Sequence, residues 1–314
     1  MATSGSVDFS VSRDDLIKYA LHTNGVLGEG ETPSSTQLTE GAWFLNALVK
    51  ARMVDGMPLW ALKQGYVLPT TGTSTYSLGS SVHAVTTYVD TTTTAALAIA
   101  ATALVVTSIT GISASDVIGV EQGDGTMHWT TANGAPSGST ITLTTGPTVA
   151  VVSGAQVYAY TTTNRIVRPL RIVSAYLYSS PDDNRTPLTI VSKEQYFSLG
   201  GPTEASVPNQ IYYDPQLSSG ILYVYPRFLT GDNLIEITFH RPFEDFDAAS
   251  DTPDFPQEWY LALMFELSSL LGKKYGVALD ERKTLMAEAT YWRELALSGG
   301  TEEGSLYMSP NVTE

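Results

Sequence analysis

Six carboxylates crowd the stretch from Glu244 to Glu258 (Glu244, Asp245, Asp247, Asp251, Asp254 and Glu258), with no basic residue among them and with Phe243, Phe246 and Phe255 interleaved. Two carboxyl groups, one kept protonated by an apolar pocket, are what glycoside hydrolysis needs, and the phenylalanines are suited to line such a pocket. The same stretch is rich in Pro, Ser and Ala and runs straight into a helix-period pattern. That is how a solvated connection or an interface reads, and it is the reading the composition favours.

The remaining chemistry-bearing motifs are weaker. Gly25-Val26-Leu27-Gly28-Glu29-Gly30-Glu31 has the glycine density of a phosphate loop, but it follows a helical pattern and its two glutamates repel phosphate. It reads as a turn between helices. Gly272-Lys273-Lys274 lacks the upstream glycine of a P-loop and reads as a basic helix C-terminus. Asp182-Asp183-Asn184 after Pro181 is a turn signature, and no serine sits in Gly-x-Ser-x-Gly. The histidines at 22, 83, 128 and 240 never take metal-ligand spacing, and the absence of cysteine excludes disulfides, thiolate metal sites and cysteine nucleophiles. His128-Trp129 reads as a packed or rim pair on a hairpin strand. Arg165, Arg168 and Arg171 have period three on a strand, which puts them on opposite faces rather than in a nucleic-acid stripe. Tyr212, Tyr213, Tyr223 and Tyr225 read as strand residues. No catalytic residue, cofactor site or metal site is expected, and the chain is not expected to be an enzyme.

Composition narrows the partners. The 314 residues carry 17 Lys+Arg against 32 Asp+Glu, a formal net charge of −15, while 43% hydrophobic residues describe a chain able to bury a core. Such acidity opposes binding to phosphate backbones, whose affinity comes from cations replacing counterions. Met1 to Ser12 has neither a basic start nor an apolar run, so no secretory signal is expected. The most apolar stretch, Ala95 to Val106, is too short for the roughly 20 residues of a membrane span.

The elements that must hold these residues fall into zones. Ser12 caps a first helix with the stripe Leu16, Ile17, Ala20 and Leu21; Thr32-Pro33 starts a second with Leu38, Ala42, Leu45, Val49 and Met53. At the other end Phe255-Pro256 starts a helix facing inward with Trp259, Leu263, Leu267 and Leu270. Asp280 caps another, carrying Leu285, Ala289, Trp292 and Leu295. Neither pair buries its stripe alone, so the two are expected to join as a four-helix unit. Between Lys63 and Arg165 there is no Lys or Arg, and Thr70 to Thr163 holds 24 threonines, which marks a separate module. Val117 to Gln122 and Thr126 to Thr131 around Gly123-Asp124-Gly125 predict a hairpin inside it. Strands are also expected at Ile166 to Leu177, Leu188 to Val191, Gln210 to Tyr213, Leu222 to Tyr225 and Leu234 to Phe239. The expected fold is α+β: an N-terminal helix pair (1–75), an inserted small β-barrel or sandwich (76–164), a second β region (165–250), a C-terminal helix pair (251–298) and an extended tail (299–314).

Several stretches in this order resemble the head-to-tail adaptors of short-tailed bacteriophages, also called tail accessory factors or head-completion proteins. They are Asp8-Phe9-Ser10 through Gly28-Glu29-Gly30-Glu31, Asp55-Gly56-Met57-Pro58-Leu59-Trp60, Tyr212-Tyr213-Asp214-Pro215-Gln216 with Gly220 to Pro226, and Arg241-Pro242-Phe243 through Glu258-Trp259. Ser115 to Val120 through Asp124 to Trp129 is similar to small inserted β domains of phage structural proteins. The resemblance implies a homo-oligomeric ring, of about twelve copies, under the portal protein at the head–tail junction of the virion. Such a ring extends the DNA channel and receives the tail nozzle, is assembled in the host cytoplasm, and lets double-stranded DNA pass without specific binding or any membrane contact. Partner-binding residues expected on this basis are Phe243, Phe246, Phe255 and Trp259, the tail anchors Tyr307 and Met308, and Trp129 of the module. The module is expected to face outward and contact tail fibres, tailspikes or the adjacent subunit, so that deleting Val82 to Thr163 leaves the ring but abolishes fibre attachment. The competing functions are a glycan- or receptor-binding tail module, with Trp129 and the tyrosines stacking sugars, and a cell-wall hydrolase acting through Glu244 or Asp245.

Overall fold

The computed structural model describes residues 5, 7–53, 59–79, 83–179, 183–200 and 204–299. Among them five α-helices form: α1 (Arg13–Thr23), α2 (Ser35–Arg52), α3 (Lys193–Ser198), α4 (Tyr260–Lys274) and α5 (Leu279–Ser298). With several sheets beside these helices the fold is α+β. Two compact units result, one of residues 1–61 and 243–314, the other of 62–242.

The first unit is helical. Ser12 accepts the Asp15 N–H (3.2 Å), with Asp14 and Asp15 at the positive end of α1. α2 begins beyond Pro33, because Ser34 and Gln37 satisfy each other's backbone N–H groups in a capping box and no earlier residue offers that exchange. Gly41 lets α2 cross α1 closely: a Cβ there would lie 2.5 Å from Ile17. α4 is packed by α1, α2 and α5. Its inward row is Leu263, Leu267 and Leu271 rather than one ending at Leu270, which is 40% exposed. The shift has a local cause: Trp259 belongs to a 3₁₀ turn (Gln257–Trp259), which resets the phase before the α-helix starts. On α5 only Leu285 and Ala289 are fully buried, and Leu295, expected inside, is 51% exposed.

The second unit is built of sheets. A five-stranded antiparallel sheet runs in the order Asn184–Pro187, Arg171–Ser179, Asn233–His240, Leu62–Val67, Ala84–Val85. A four-stranded one runs Thr189–Ile190, Gln210–Asp214, Gly220–Tyr225, Thr75–Leu78, its first pair parallel. They share a core that includes Tyr76, Leu78, Leu222, Ile237 and Phe239. Ala205–Ser206 pairs with Arg227–Phe228.

The threonine-rich segment forms a four-stranded sheet ordered Val89–Thr92, Gln156–Tyr160, Val117–Glu121, Met127–Thr131, and a two-stranded one of Ala103–Val105 with Thr140–Thr142. Both close over a core containing Leu104, Ile118, Ile141 and Val157. No sheet among the described residues closes into a barrel. Gly125, at φ +81°, makes the expected hairpin turn. The threonines pair through their hydroxyls on the exposed faces: Thr92 with Thr107 (3.0 Å), Thr130 with Thr145 and Thr131 with Thr144 (both 2.8 Å).

This segment enters and leaves side by side, since Val85 bridges Arg165 and the Thr86 N–H donates to Asn164 (2.8 Å). It does not hang free. Val117, Met127, Tyr158 and Tyr160 from the segment share a fourth buried cluster with Leu68, Val85 and Leu234 from the flanking strands. Tyr158 also donates to the Gly231 carbonyl (2.9 Å). The segment and the second β region therefore fold as one unit, and a clean removal of Val82 to Thr163 is not available: it would strip a shared core.

Candidate functional site

The segment Glu244 to Glu258 is held down by its own acids. Asp251 accepts the N–H groups of Asp247 (2.8 Å) and Ala248 (2.6 Å), and Asp254 accepts that of Glu244 (3.1 Å). Asn46 of α2 pairs with the Phe246 backbone in both directions (3.1 and 2.9 Å). Lys50 donates to the Phe243 carbonyl (2.8 Å) and forms an ion pair with Asp245. Arg13 at the start of α1 donates to the carbonyls of Asp251 (2.7 Å) and Asp247 (3.2 Å). These carboxylates act as turn and cap acceptors, as short acidic side chains do in connections.

The aromatic residues point the other way. Phe243, Phe246, Phe255 and Trp259 are each less than 10% exposed and belong to the helical core. Three of them gather round Trp60, which stacks on Phe243 (5.0 Å, 19°), tilts against Phe255 (5.1 Å) and meets Trp259 edge-on (6.3 Å). Phe243 and Phe255 meet at 4.8 Å. These four residues, expected to bind a partner, place their rings in the unit's own core. None of the six carboxylates is buried among those rings, so the paired acids of a glycosidase are not assembled here.

Trp129 is likewise engaged. Its indole N–H donates to the Pro69 carbonyl (3.1 Å), and its ring stacks on His83 (3.7 Å, 11°). Gly119, its cross-strand partner, gives the ring room: a Cβ there would come within 2.6 Å of it. Trp129, expected to meet a partner or a sugar, is partly buried by this packing within the second unit. Tyr307 and Met308 lie outside the described residues. Tyr212 and Tyr223 stack on each other (5.4 Å, 24°) beneath Tyr196 and Phe197 of α3. His128 contacts the Thr145 carbonyl (3.0 Å). The glycine-rich turn leaves no phosphate cradle, because Glu31 takes the Gly28 N–H (2.8 Å).

His83 carries the largest electrostatic consequence in this neighbourhood. Burial, with Arg165 nearby, pushes its pKa down from 6.5 to about 4, and its Nδ1 pairs with the Tyr160 hydroxyl (2.8 Å). The folded state thus holds His83 neutral. Stability is complete above pH 6.5 and falls as pH drops from 6.5 toward 4, by up to about 3 kcal/mol from this group. Urea unfolding at pH 7.5 and 4.5 should show that slope in the wild type and lose it in His83→Phe; equal slopes in both would contradict it.

Two buried polar assemblies escape sequence reading. Arg52 of α2 and Glu266 of α4 form a bidentate ion pair (3.0 and 2.9 Å) within the helical unit. Glu236, 6% exposed on a central strand, accepts from Arg185 (3.0 Å) and from Gln64. A glutamate on an otherwise apolar helix face, as at 266, was the available signal, but its partner is 214 residues away. Among the described residues no group of His, Asp or Glu is placed to hold a metal, and no helix is long and apolar enough to cross a membrane.

Several large apolar residues of the helical unit stand exposed: Leu270 of α4, Leu279 and Met286 of α5, Tyr19 of α1 and Trp43 of α2. Leu59, Leu261 and Leu295 line a further groove. No protein-family model and no curated protein matches the chain.

Proposed function

We propose that the protein is a structural component of a short-tailed phage virion, a head-to-tail adaptor. Its subunits form a ring beneath the portal that extends the DNA channel and docks the tail nozzle, with α1, α2, α4 and α5 as the four-helix ring-forming unit. The observation that carries this reading is that large apolar side chains stand exposed on all four of these helices. Leu279 and Met286 are 60% and 57% exposed, and Tyr19 and Trp43 are 52% and 67% exposed. Single exposed apolar residues are ordinary, but this number on one small helical unit calls for cover. A contact between unlike surfaces of identical copies closes into a ring when the rotation allows. The order of adaptor-like stretches along the chain supplies the kind of ring, and a net charge of −15 suits a channel through which DNA slides without sticking. The threonine-rich segment is the natural place for a fibre or tailspike to attach, held rigidly by the core it shares with its flanking strands.

Such a contact has a specific signature in mixtures. Trp43→Asp and Met286→Asp, each disabling one side, should leave folded chains that form no rings. Mixed together they retain one intact face of each kind, and light scattering should find pairs and nothing larger. Rings from either variant alone would show that these residues do not form the contact.

A further inference from the structure

Two Asn-Gly pairs occur in the chain, Asn24-Gly25 and Asn133-Gly134, and the fold treats them in opposite ways. An asparagine before a glycine can react with its own backbone: the next amide nitrogen attacks the side-chain carbonyl carbon, and glycine, lacking a Cβ, leaves that approach open. Asn24 at the end of α1 is only 6% exposed. Its carboxamide donates to the Ser268 carbonyl (3.2 Å) and accepts the Val26 N–H (3.2 Å), while the Gly25 N–H donates to the His22 carbonyl (3.0 Å). Electrophile and nucleophile are both engaged there.

Asn133 follows the strand Met127–Thr131 and is exposed. Its own N–H donates to the Thr142 carbonyl (2.7 Å), and Ala132 bridges Leu143, so the chain is anchored up to the reacting pair. Beyond that point the anchoring stops. Among the described residues neither the Asn133 carboxamide nor the Gly134 N–H has a hydrogen-bond partner. Gly134, at φ +93°, has open space where a Cβ would stand. The Asp-Gly pair of the same segment is closed in the manner of Asn24. Asp124 accepts from the Thr126 N–H (3.0 Å) and hydroxyl (2.6 Å), and the Gly125 N–H donates to the Gln122 carbonyl (2.9 Å).

We propose that Asn133-Gly134 is a self-modification site, where the folded protein deamidates through its own backbone with water as co-reactant. The Gly134 nitrogen, its proton passed to solvent base, bonds to Cγ of Asn133; the Cγ–Nδ2 bond breaks, and Nδ2 takes up a proton and leaves as ammonia. Water then opens the resulting cyclic imide. Opening at the side-chain carbonyl gives aspartate, and opening at the main-chain carbonyl gives isoaspartate, whose backbone is one methylene longer. Nothing is oxidised or reduced. Either product adds a negative charge to a stretch that has no Lys or Arg between Lys63 and Arg165 to neutralise it. Isoaspartate also lengthens the main chain directly after the Asn133–Thr142 hydrogen bond. This does not rest on the adaptor reading and holds for the isolated subunit.

The two pairs make each other's control in the full-length protein. Folded wild type is incubated at mildly alkaline pH in heavy-oxygen water, digested at acid pH where the reaction stops, and both asparagine peptides are followed by mass spectrometry. Asn133 should convert about tenfold or more faster than Asn24, whose reaction waits on a local opening that breaks its hydrogen bonds. The rate at Asn133 should rise with pH, as attack by a deprotonated amide requires. In urea the two sites should convert at similar rates, because the difference belongs to the fold. A more acidic form should grow on ion exchange in step with the Asn133 peptide, and Asn133→Gln should prevent it. Equal rates at the two sites in the folded protein, or an Asn133 that stays intact when folded but converts in urea, would overturn the proposal.

Discussion

Replacing Glu266 by alanine is expected to destabilise the helical unit by about 3–5 kcal/mol, one of the largest effects available to a single substitution in this protein. Glu266 is 8% exposed and grips Arg52 through both oxygens, at 3.0 and 2.9 Å. Cutting away the carboxylate takes two charge-assisted hydrogen bonds from a guanidinium whose side chain is only 18% exposed, beside the aromatic cluster of Trp60 and Phe243. Coulomb attraction in the pair does not set this size; the desolvation of a part-buried cation, which the lost carboxylate offset, does. Two companions separate the causes. Glu266→Gln keeps shape and an acceptor and should lose less. Arg52→Met with Glu266→Leu removes both charges and should return close to wild type. Urea unfolding followed by circular dichroism measures all three, and a loss under 1 kcal/mol for Glu266→Ala would show the pair to be solvated in practice.

Excising residues 87–163 and joining Thr86 to Asn164 through a short glycine linker is expected to cost more still. The join itself is easy, because the Thr86 N–H already donates to Asn164 (2.8 Å). The loss comes from what is uncovered. Leu68, Val85 and Leu234 are fully buried against the segment's Val117, Met127, Tyr158 and Tyr160. At about 1.5–3 kcal/mol for each such side chain returned to water, the flanking β region loses roughly 6 kcal/mol, comparable with the whole stability of many domains. The excised protein should therefore aggregate or unfold in the β unit. Substituting Leu68→Thr and Leu234→Thr in the same protein should recover solubility without recovering stability. Sedimentation and thermal unfolding report on these two properties separately. A stable, soluble excised protein without those substitutions would show the segment to be an independent domain on a linker.

The parts of the fold legible in the sequence are those whose causes are local. Ser12 and its acids announce α1, and Gly123-Asp124-Gly125 between two alternating runs announces the hairpin that forms as Val117–Glu121 against Met127–Thr131. Where partners are distant the signal fails. Leu62–Val67 carries Lys63 and Gln64 and alternates poorly, yet it pairs along its whole length with a strand that ends at His240. Periodicity places Leu270 and Leu295 inside, and each turns outward because the 3₁₀ turn and the packing of α5 on α4 and that turn set the phase instead. At the candidate site the composition of Glu244 to Glu258 told that aromatic rings and acids alternate. It did not tell that the rings face the unit's own core around Trp60 while the acids tie the loop's backbone. Burial of an aromatic residue is readable from pattern; whether its own chain or a partner provides the cover depends on residues nearly 200 positions away, such as Trp60 and Asn46.

On the proposed reading, copies of this chain assemble into a ring that seats on a phage portal. Negative-stain microscopy with light scattering of the purified protein, alone and mixed with portal proteins of short-tailed phages, checks this. Closed rings are expected, formed either alone or on a portal, and abolished by Trp43→Asp. A folded monomer that stays monomeric at high concentration and ignores the portal would contradict it.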